Sequence, residues 1–295
     1  MDNIVRTQNS LCNPIQYILM RSIFSAPLHI LYEEKNCIKC GLCAALCTTG
    51  RITASADKSP EIRDDLPCIS CGQCIAVCPK AALSTDTPAF TAPAEHTAYR
   101  EGINSDLLSV YLKSRRSVRI WQKKPVARSD LARLIDVAAY APSACNIHPV
   151  KWVIVSDPAT VQKFAHASIA ALKALPGDHP LAQLSQTLIA GADAGTDPVC
   201  RNAPALFIAA SDADQEYGLI DSIIALSYID AFAPSLGLGT CWVGYVMIML
   251  RLKPELGHIL GIPENWTPQY AMLAGYPGIS FSQIPPREVP EVIWN

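Results

Sequence analysis

The chain of 295 residues has little charge and no real excess of either sign. Lys plus Arg number 24 and Asp plus Glu 26, so 17% of residues are charged and the net charge is −2. That balance lacks the basic footprint a nucleic-acid partner requires. Near the N-terminus there is no clean apolar run of about 20 residues, which a membrane-spanning helix needs. Residues 14–32 (PIQYILMRSIFSAPLHILY) are interrupted by Arg21, Pro27 and His29. The same breaks argue against a secretory signal, so no stable membrane insertion is expected. The stretch reads as an amphipathic extension, docked on the protein or partly disordered, with membrane-surface contact as the other reading. No G-x-G-x-x-G follows an apolar strand, so a Rossmann nucleotide site is not indicated. A hydrophobic content of 50% implies extensive buried surface, with subunit contacts as one place for it.

Cysteine is what the chain has in excess, with 12 in all. Eight fall in two runs of one spacing, C-x2-C-x2-C-x3-C: CIKCGLCAALC at 37–47 and CISCGQCIAVC at 68–78. Zinc and a disulfide framework are the competing readings. Zinc is oversupplied by three close thiols plus a fourth, twice over. Disulfides at this density suit a small secreted domain, which most of this chain does not resemble. The spacing suits cubane iron–sulfur clusters, with three thiolates from one tight turn and a fourth from elsewhere. Gly41 and Gly72 follow the second Cys of each run, where the backbone is expected to pass close to a cluster.

The two runs resemble a bacterial-type two-[4Fe-4S] ferredoxin. In that family the fourth Cys of each run ligates the other cluster. The resemblance therefore implies Cys37, Cys40, Cys43 and Cys78 for one cluster, and Cys68, Cys71, Cys74 and Cys47 for the other. Thr48 stands where the family usually has Pro, at a position that is not a ligand. Cys12, Cys145, Cys200 and Cys241 are scattered and read as buried or inert thiols. Clusters and reduced thiols lead to the expectation of a cytoplasmic protein.

The expected class is α+β. An N-terminal extension (1–33) precedes a two-cluster ferredoxin-like domain (34–84), then a linker (85–104) rich in Pro and small residues. A larger domain (105–295) follows, with a small central sheet flanked by helices. Ser105-Asp106 and Ser129-Asp130 read as caps of two helices, the second with Leu131, Leu134, Ile135 and Ala138 on one face. KWVIVS (151–156), ALFIAA (205–210) and QYAMLAG (269–275) read as strands. Asp157-Pro158 opens a helix to about Leu175, and 183–202 is ambiguous. Residues 216–236 form a helix apolar on all sides, expected to be buried. Residues 237–246 read as a Gly-punctuated loop, and 247–260 as helix.

Arg115, Arg116, Ser117 and Arg119 offer guanidinium forks and a hydroxyl suited to phosphate, or else form a solvated basic helix end. PSACNIHP (142–149) offers side chains suited to a ribityl chain or a flavin edge, or else is turn chemistry. Taken with SLGLGTCWVGYV (235–246), LAGYP (273–277) and PPR (285–287), these motifs resemble the nitroreductase family. Its members are FMN-dependent homodimers, and the likeness covers about 105–295. The resemblance assigns Arg115, Arg116 and Ser117 to FMN, with Arg287 completing the phosphate site. It makes Pro142, Ser143, Ala144 and Asn146 the segment that reaches the other subunit's flavin. It lays the backbone of Cys241, Trp242, Val243 and Gly244 over the flavin, with an amide near N5. His148 and Val150 depart from the residues common in the family. His148 is a candidate proton donor, or a structural hydrogen-bonder.

The combination implies an enzyme that passes electrons from two clusters to FMN and reduces a small acceptor: a nitroaromatic, a quinone or an activated C=C bond. Ferredoxin, or another low-potential donor, would supply the electrons. The alternatives are an NAD(P)H-driven nitroreductase with an auxiliary ferredoxin domain, and an electron carrier or redox sensor without a small substrate. A dehalogenating or flavin-fragmenting enzyme of the same fold is a further alternative that no feature favours.

Overall fold

A computed structural model describes residues 28–87 and 102–295. The expectations for residues 1–27 and for most of the linker lie outside the described residues. The chain divides into two units, Met1–Arg100 with Ala144–Ile147, and Glu101–Ser143 with His148–Asn295.

The first unit is built on two short antiparallel ladders. Strand β1 (Ile30–Tyr32) pairs with β4 (Leu83–Thr85), and β2 (Ile52–Ala54) pairs with β3 (Pro60–Ile62). The expected boundary at residue 33 leaves β1 in the N-terminal extension, yet β1 is half of the first ladder. Each Cys run carries one short helix, α1 (Leu42–Leu46) and α2 (Gln73–Ala76). Both helices start from a left-handed glycine, Gly41 at φ 73° and Gly72 at φ 67°. A Cβ on Gly41 would meet only Lys58 Cβ, at an ordinary 3.8 Å. The need for glycine visible there is thus the backbone angle rather than a close neighbour. Leu28, Ile30, Ile52 and Leu83 form the small core of the unit.

The second unit is organised by a four-stranded antiparallel sheet in the order β5-β6-β8-β7. Its strands are β5 (Lys151–Val155), β6 (Ala205–Ser211), β7 (Gly239–Trp242) and β8 (Thr267–Gly275). Residues two apart share a face of a strand. Leu206, Ile208, Ala271 and Leu273 therefore enter one core, with Phe164, Leu172, Val246 and Met249. Ala205, Phe207, Ala209, Met272 and Ala274 enter the other, with Leu134, Leu226 and Ile229. Burial on both faces explains why β6 is a continuous apolar run rather than an alternating one.

The helices are α3 (Ser105–Ser114), α4 (Arg128–Ala138), α5 (Pro158–Lys173), α6 (Ala182–Asp193), α7 (Gly218–Phe232) and α8 (Gly244–Leu252). Asp157 caps α5 as expected, its carboxylate accepting the amides of Ala159 and Thr160. Three expectations are corrected. The cap of α3 is Asn104, which accepts the amides of Asp106 and Leu107 at 2.9 Å each. Ser129-Asp130 lies inside α4 rather than ahead of it, and Asp130 accepts instead from Tyr276 Oη at 3.1 Å. The stretch read as a loop at 237–246 contains β7 and the start of α8, because its backbone pairs with β8.

Helix α7 is apolar all round but is not buried all round. Asp221, Ser222, Ala225, Leu226, Ile229 and Asp230 face the interior, while Leu219, Ile220, Ile223 and Tyr228 are exposed. Together with Ala233–Leu236 it is long and apolar enough to cross a membrane. Its inner face nonetheless carries two buried carboxylates and packs on the sheet.

Candidate active site and cluster sites

In the first unit the eight thiols stand around two hollows. One is lined by Cys37, Cys40, Cys43 and Cys78, the other by Cys47, Cys68, Cys71 and Cys74. The fourth Cys of each run thus lies with the first three of the other run. Among the described residues, no three His, Cys, Asp or Glu side chains converge as a single metal ion would demand. Thiols spread around a hollow fit a group larger than one ion, which a cubane is. Backbone amides already point at several sulfurs: Ala82 N to Cys78 at 3.1 Å, Ile52 N to Cys47 at 3.3 Å, and Lys39 N to Cys37 at 3.4 Å. Burial pushes the Cys74 thiol up to about 11, with the neighbouring Cys71 adding to it. Burial opposes ionisation of Cys78 too, but the amides of Lys80, Ala82, Leu83 and Ala81 outweigh it and lower its pKa. Stabilising a thiolate with amide dipoles is one way a protein prepares a sulfur for iron.

In the second unit, helix α3 delivers Arg115. Tyr111, on α3, donates from its hydroxyl to the Ala231 carbonyl at 2.8 Å, which ties this helix to the end of α7. Arg115 is the C-cap of α3, so it arrives beside Asp230 of α7, Nε to Oδ2 at 3.4 Å. The chain then runs along β7. Ser117 bridges to Thr240 in parallel sense, and Val118 N donates to the Thr240 carbonyl at 2.8 Å. This approach requires glycine at 239, where a Cβ would fall 2.3 Å from Val118 Cγ2.

Asp230 is the residue that sequence reasoning passed over. It is buried, 7% exposed. It accepts from Thr240 Oγ1 and, at 2.9 Å, from Trp242 Nε1, while facing Arg115. One signal was available: a carboxylate near the end of an apolar helix, which must be paired to be buried. Trp242 also meets the ring of Tyr270 edge-on, with centroids 5.4 Å apart. Cys241 is buried, and burial raises its thiol pKa; Arg119, Arg201 and Arg115 pull the other way.

The nitrogen Nη1 of Arg115 is buried without a hydrogen-bond partner. Leaving a charged donor unmet is costly, and an acceptor oxygen is what this donor lacks. The structure thus brings together Arg115, Ser117, Arg119 and the segment Cys241–Gly244. Arg116 is half-buried beside them in the chain. Arg287 is exposed, in a segment without regular structure, and forms no ion pair among the described residues. Pro142 is exposed, and Ser143 Oγ accepts from His148 N at 2.9 Å. Ala144 and Asn146 fall with the first unit, where Asn146 Nδ2 donates to the Ile69 carbonyl at 3.0 Å. Cys145, Asn146 and His148 all have positive φ, from 50° to 57°. His148 is exposed.

Comparison with known proteins agrees with this division. Residues 112–276 match the nitroreductase family model, and residues 29–95 match a 4Fe-4S dicluster domain. The chain belongs to the nitroreductase family, with an iron–sulfur ferredoxin-type domain preceding its catalytic domain. An NADH dehydrogenase of Thermus thermophilus is 28% identical over 197 residues, 61% of this chain and 92% of the relative. A nitroreductase with bound FMN from Bacteroides fragilis superposes with a TM-score of 0.55 at 23% identity, over 65% of this chain and 100% of that one. A second nitroreductase with bound FMN, from Desulfitobacterium hafniense, gives a TM-score of 0.50 at 20% identity, over 62% and 94%. The α+β fold and the class, an oxidoreductase that carries iron–sulfur clusters, follow from these matches.

Proposed function

We propose that the protein moves electrons from two [4Fe-4S] clusters to an FMN held along β7, and reduces a small organic acceptor there. Cys37, Cys40, Cys43 and Cys78 hold one cluster in this reading, and Cys68, Cys71, Cys74 and Cys47 the other. The observation that carries the flavin half is the buried, unpartnered Nη1 of Arg115 beside Ser117 and β7. FMN supplies a carrier that accepts electrons one at a time from clusters and can deliver two.

The residues of the chain bind and orient. Arg115, Arg116, Ser117 and Arg119 take the phosphate and the flavin edge, and Arg287 completes the phosphate site. The backbone of Cys241, Trp242, Val243 and Gly244 lies against the flavin, with an amide donor near N5. Pro142, Ser143, Ala144 and Asn146 serve the site of the second subunit in a homodimer. His148, held through its amide by Ser143, delivers a proton to the acceptor, with solvent as the competing source. Nitroaromatics, quinones and activated C=C bonds are the acceptor classes, and the cytoplasm is the compartment.

A second reading has NADH or NADPH as the donor, with the ferredoxin domain auxiliary. The name of the Thermus thermophilus relative favours it. Stopped-flow flavin bleaching separates the two. Reduced ferredoxin should bleach the flavin of the wild type and fail with Cys68→Ser, while any direct NAD(P)H reduction survives the change. Equal rates in both proteins with reduced ferredoxin would remove the clusters from the path.

A further inference from the structure

Asp230 has no role in the reading above, yet it touches more of that site than any other side chain described there. Its two oxygens accept from Thr240 Oγ1 and Trp242 Nε1 and face the guanidinium of Arg115. It is one of two buried carboxylates on a largely apolar helix, the other being Asp221. A buried carboxylate with three polar neighbours is a fixed point, because losing any of them leaves a charge unpaired in a poor solvent. The geometry at Arg115 is specific. Asp230 Oδ2 lies 3.4 Å from Nε, whereas Nη1 is buried and unpartnered. One part of the guanidinium is thus engaged on the protein side while another is left to donate. A planar fork held in this way presents its remaining N–H groups in one direction. The same carboxylate fixes the Trp242 indole, and with it the strand end from which Val243 and Gly244 continue.

We infer that Asp230 is a positioning residue: it aims Arg115 at the flavin phosphate. The inference rests on the FMN reading above. It makes no contact with the flavin its own requirement, so its signature is a selective loss. Asp230→Asn removes the charge facing Arg115 and leaves a side chain of the same shape. It should weaken FMN binding on the order of tenfold, the scale of one charged hydrogen bond. Riboflavin, which has no phosphate, should bind both proteins alike.

The test is titration of apo-protein, clusters intact, with FMN and with riboflavin, for wild type, Asp230→Asn, Arg115→Gln and the double variant. The expected result is that each single change lowers the preference for FMN over riboflavin, and that the double change lowers it no further than Arg115→Gln. Equal losses for FMN and riboflavin, or strictly additive losses in the double variant, would overturn the inference. Arg115→Lys supplies a route that does not depend on Asp230→Asn folding. It keeps the charge but lacks a fork to divide between carboxylate and phosphate, so it too should lose the preference. An Arg115→Lys protein with the wild-type preference would overturn the proposal. A wild type that binds riboflavin as tightly as FMN would instead refute the FMN-phosphate reading, and the inference would fall with it.

Discussion

The two thiol quartets make different residues equivalent from what chain order suggests. Cys47 closes the first run but lines the hollow of the second, with Cys68, Cys71 and Cys74. Removing two ligands of one cluster should cost no more iron than removing one. Cys47→Ser combined with Cys68→Ser should therefore retain about four of about eight irons per chain. Cys47→Ser combined with Cys37→Ser should lose nearly all. Iron and sulfide analysis of anaerobically purified variants decides this, and the reverse pattern would mean that each run holds its own cluster. Gly239 is a second test at this scale. Its missing Cβ makes room for Val118 at 2.3 Å, so Gly239→Ala should destabilise by about 1–3 kcal/mol, as overpacking does. Val118→Ala in the same protein should recover part of that loss in a denaturant melt.

The helix ends divide into those held by side chains and those held by packing. Asn104 accepts two amides at the start of α3, so Asn104→Ala should cost about 1 kcal/mol. Because α3 carries Arg115 at its end, the same change should loosen FMN more than it lowers the melting temperature of the rest. Fluorescence titration against thermal melting checks that order. At α5 the cap is a carboxylate. Hydrogen bonds from Thr160 and Ala159 hold the pKa of Asp157 below its ordinary value. A lowered pKa means that the folded form binds its proton less readily than the unfolded chain does. The stabilisation is therefore present above about pH 4 and fades as the pH falls further. The melting-temperature gap between wild type and Asp157→Ala should accordingly narrow in acid. A gap unchanged down to pH 2 would show that the charge of this cap contributes nothing.

For the molecule as a whole, the outer face of α7 raises the question of assembly. Leu219, Ile220, Ile223 and Tyr228 expose an apolar surface on a helix whose inner face is buried. A contiguous apolar patch on a single chain marks an interaction surface. In the proposed homodimer a second copy covers it, as the shared-site reading also requires. Ile220, 55% exposed, is the simplest probe. Ile220→Glu should shift the protein towards monomers in sedimentation velocity and weaken FMN binding with it. A monomeric variant that retains full FMN affinity would rule out a site shared between subunits. Electron entry is tested at this scale too, by the Cys68→Ser kinetics described above.

Local chemistry determined a good deal from the sequence alone. The Cys spacing was enough for the iron–sulfur domain, since three of the four ligands of each cluster lie within seven residues of one another. The Asp157-Pro158 cap, the strand at 205–210 and the order RRSVR, APSACNIHP, SLGLGTCWVGYV needed nothing beyond neighbours in the chain. Where a backbone group finds its partner far away, the sequence was silent or misleading. Residues 239–242 look like a glycine-rich loop but form β7, because they pair with β8, about 30 residues on or more. Asn104 and Ser105 are equally good caps by composition, and only the direction of the helix start chose between them. Asp230 could be seen as an oddity in an apolar helix. Its meaning depended on Thr240, Trp242 and Arg115 arriving from three other places in the chain. Only the tertiary structure gathers them, because burial of that one charge is tolerable only where all of them meet.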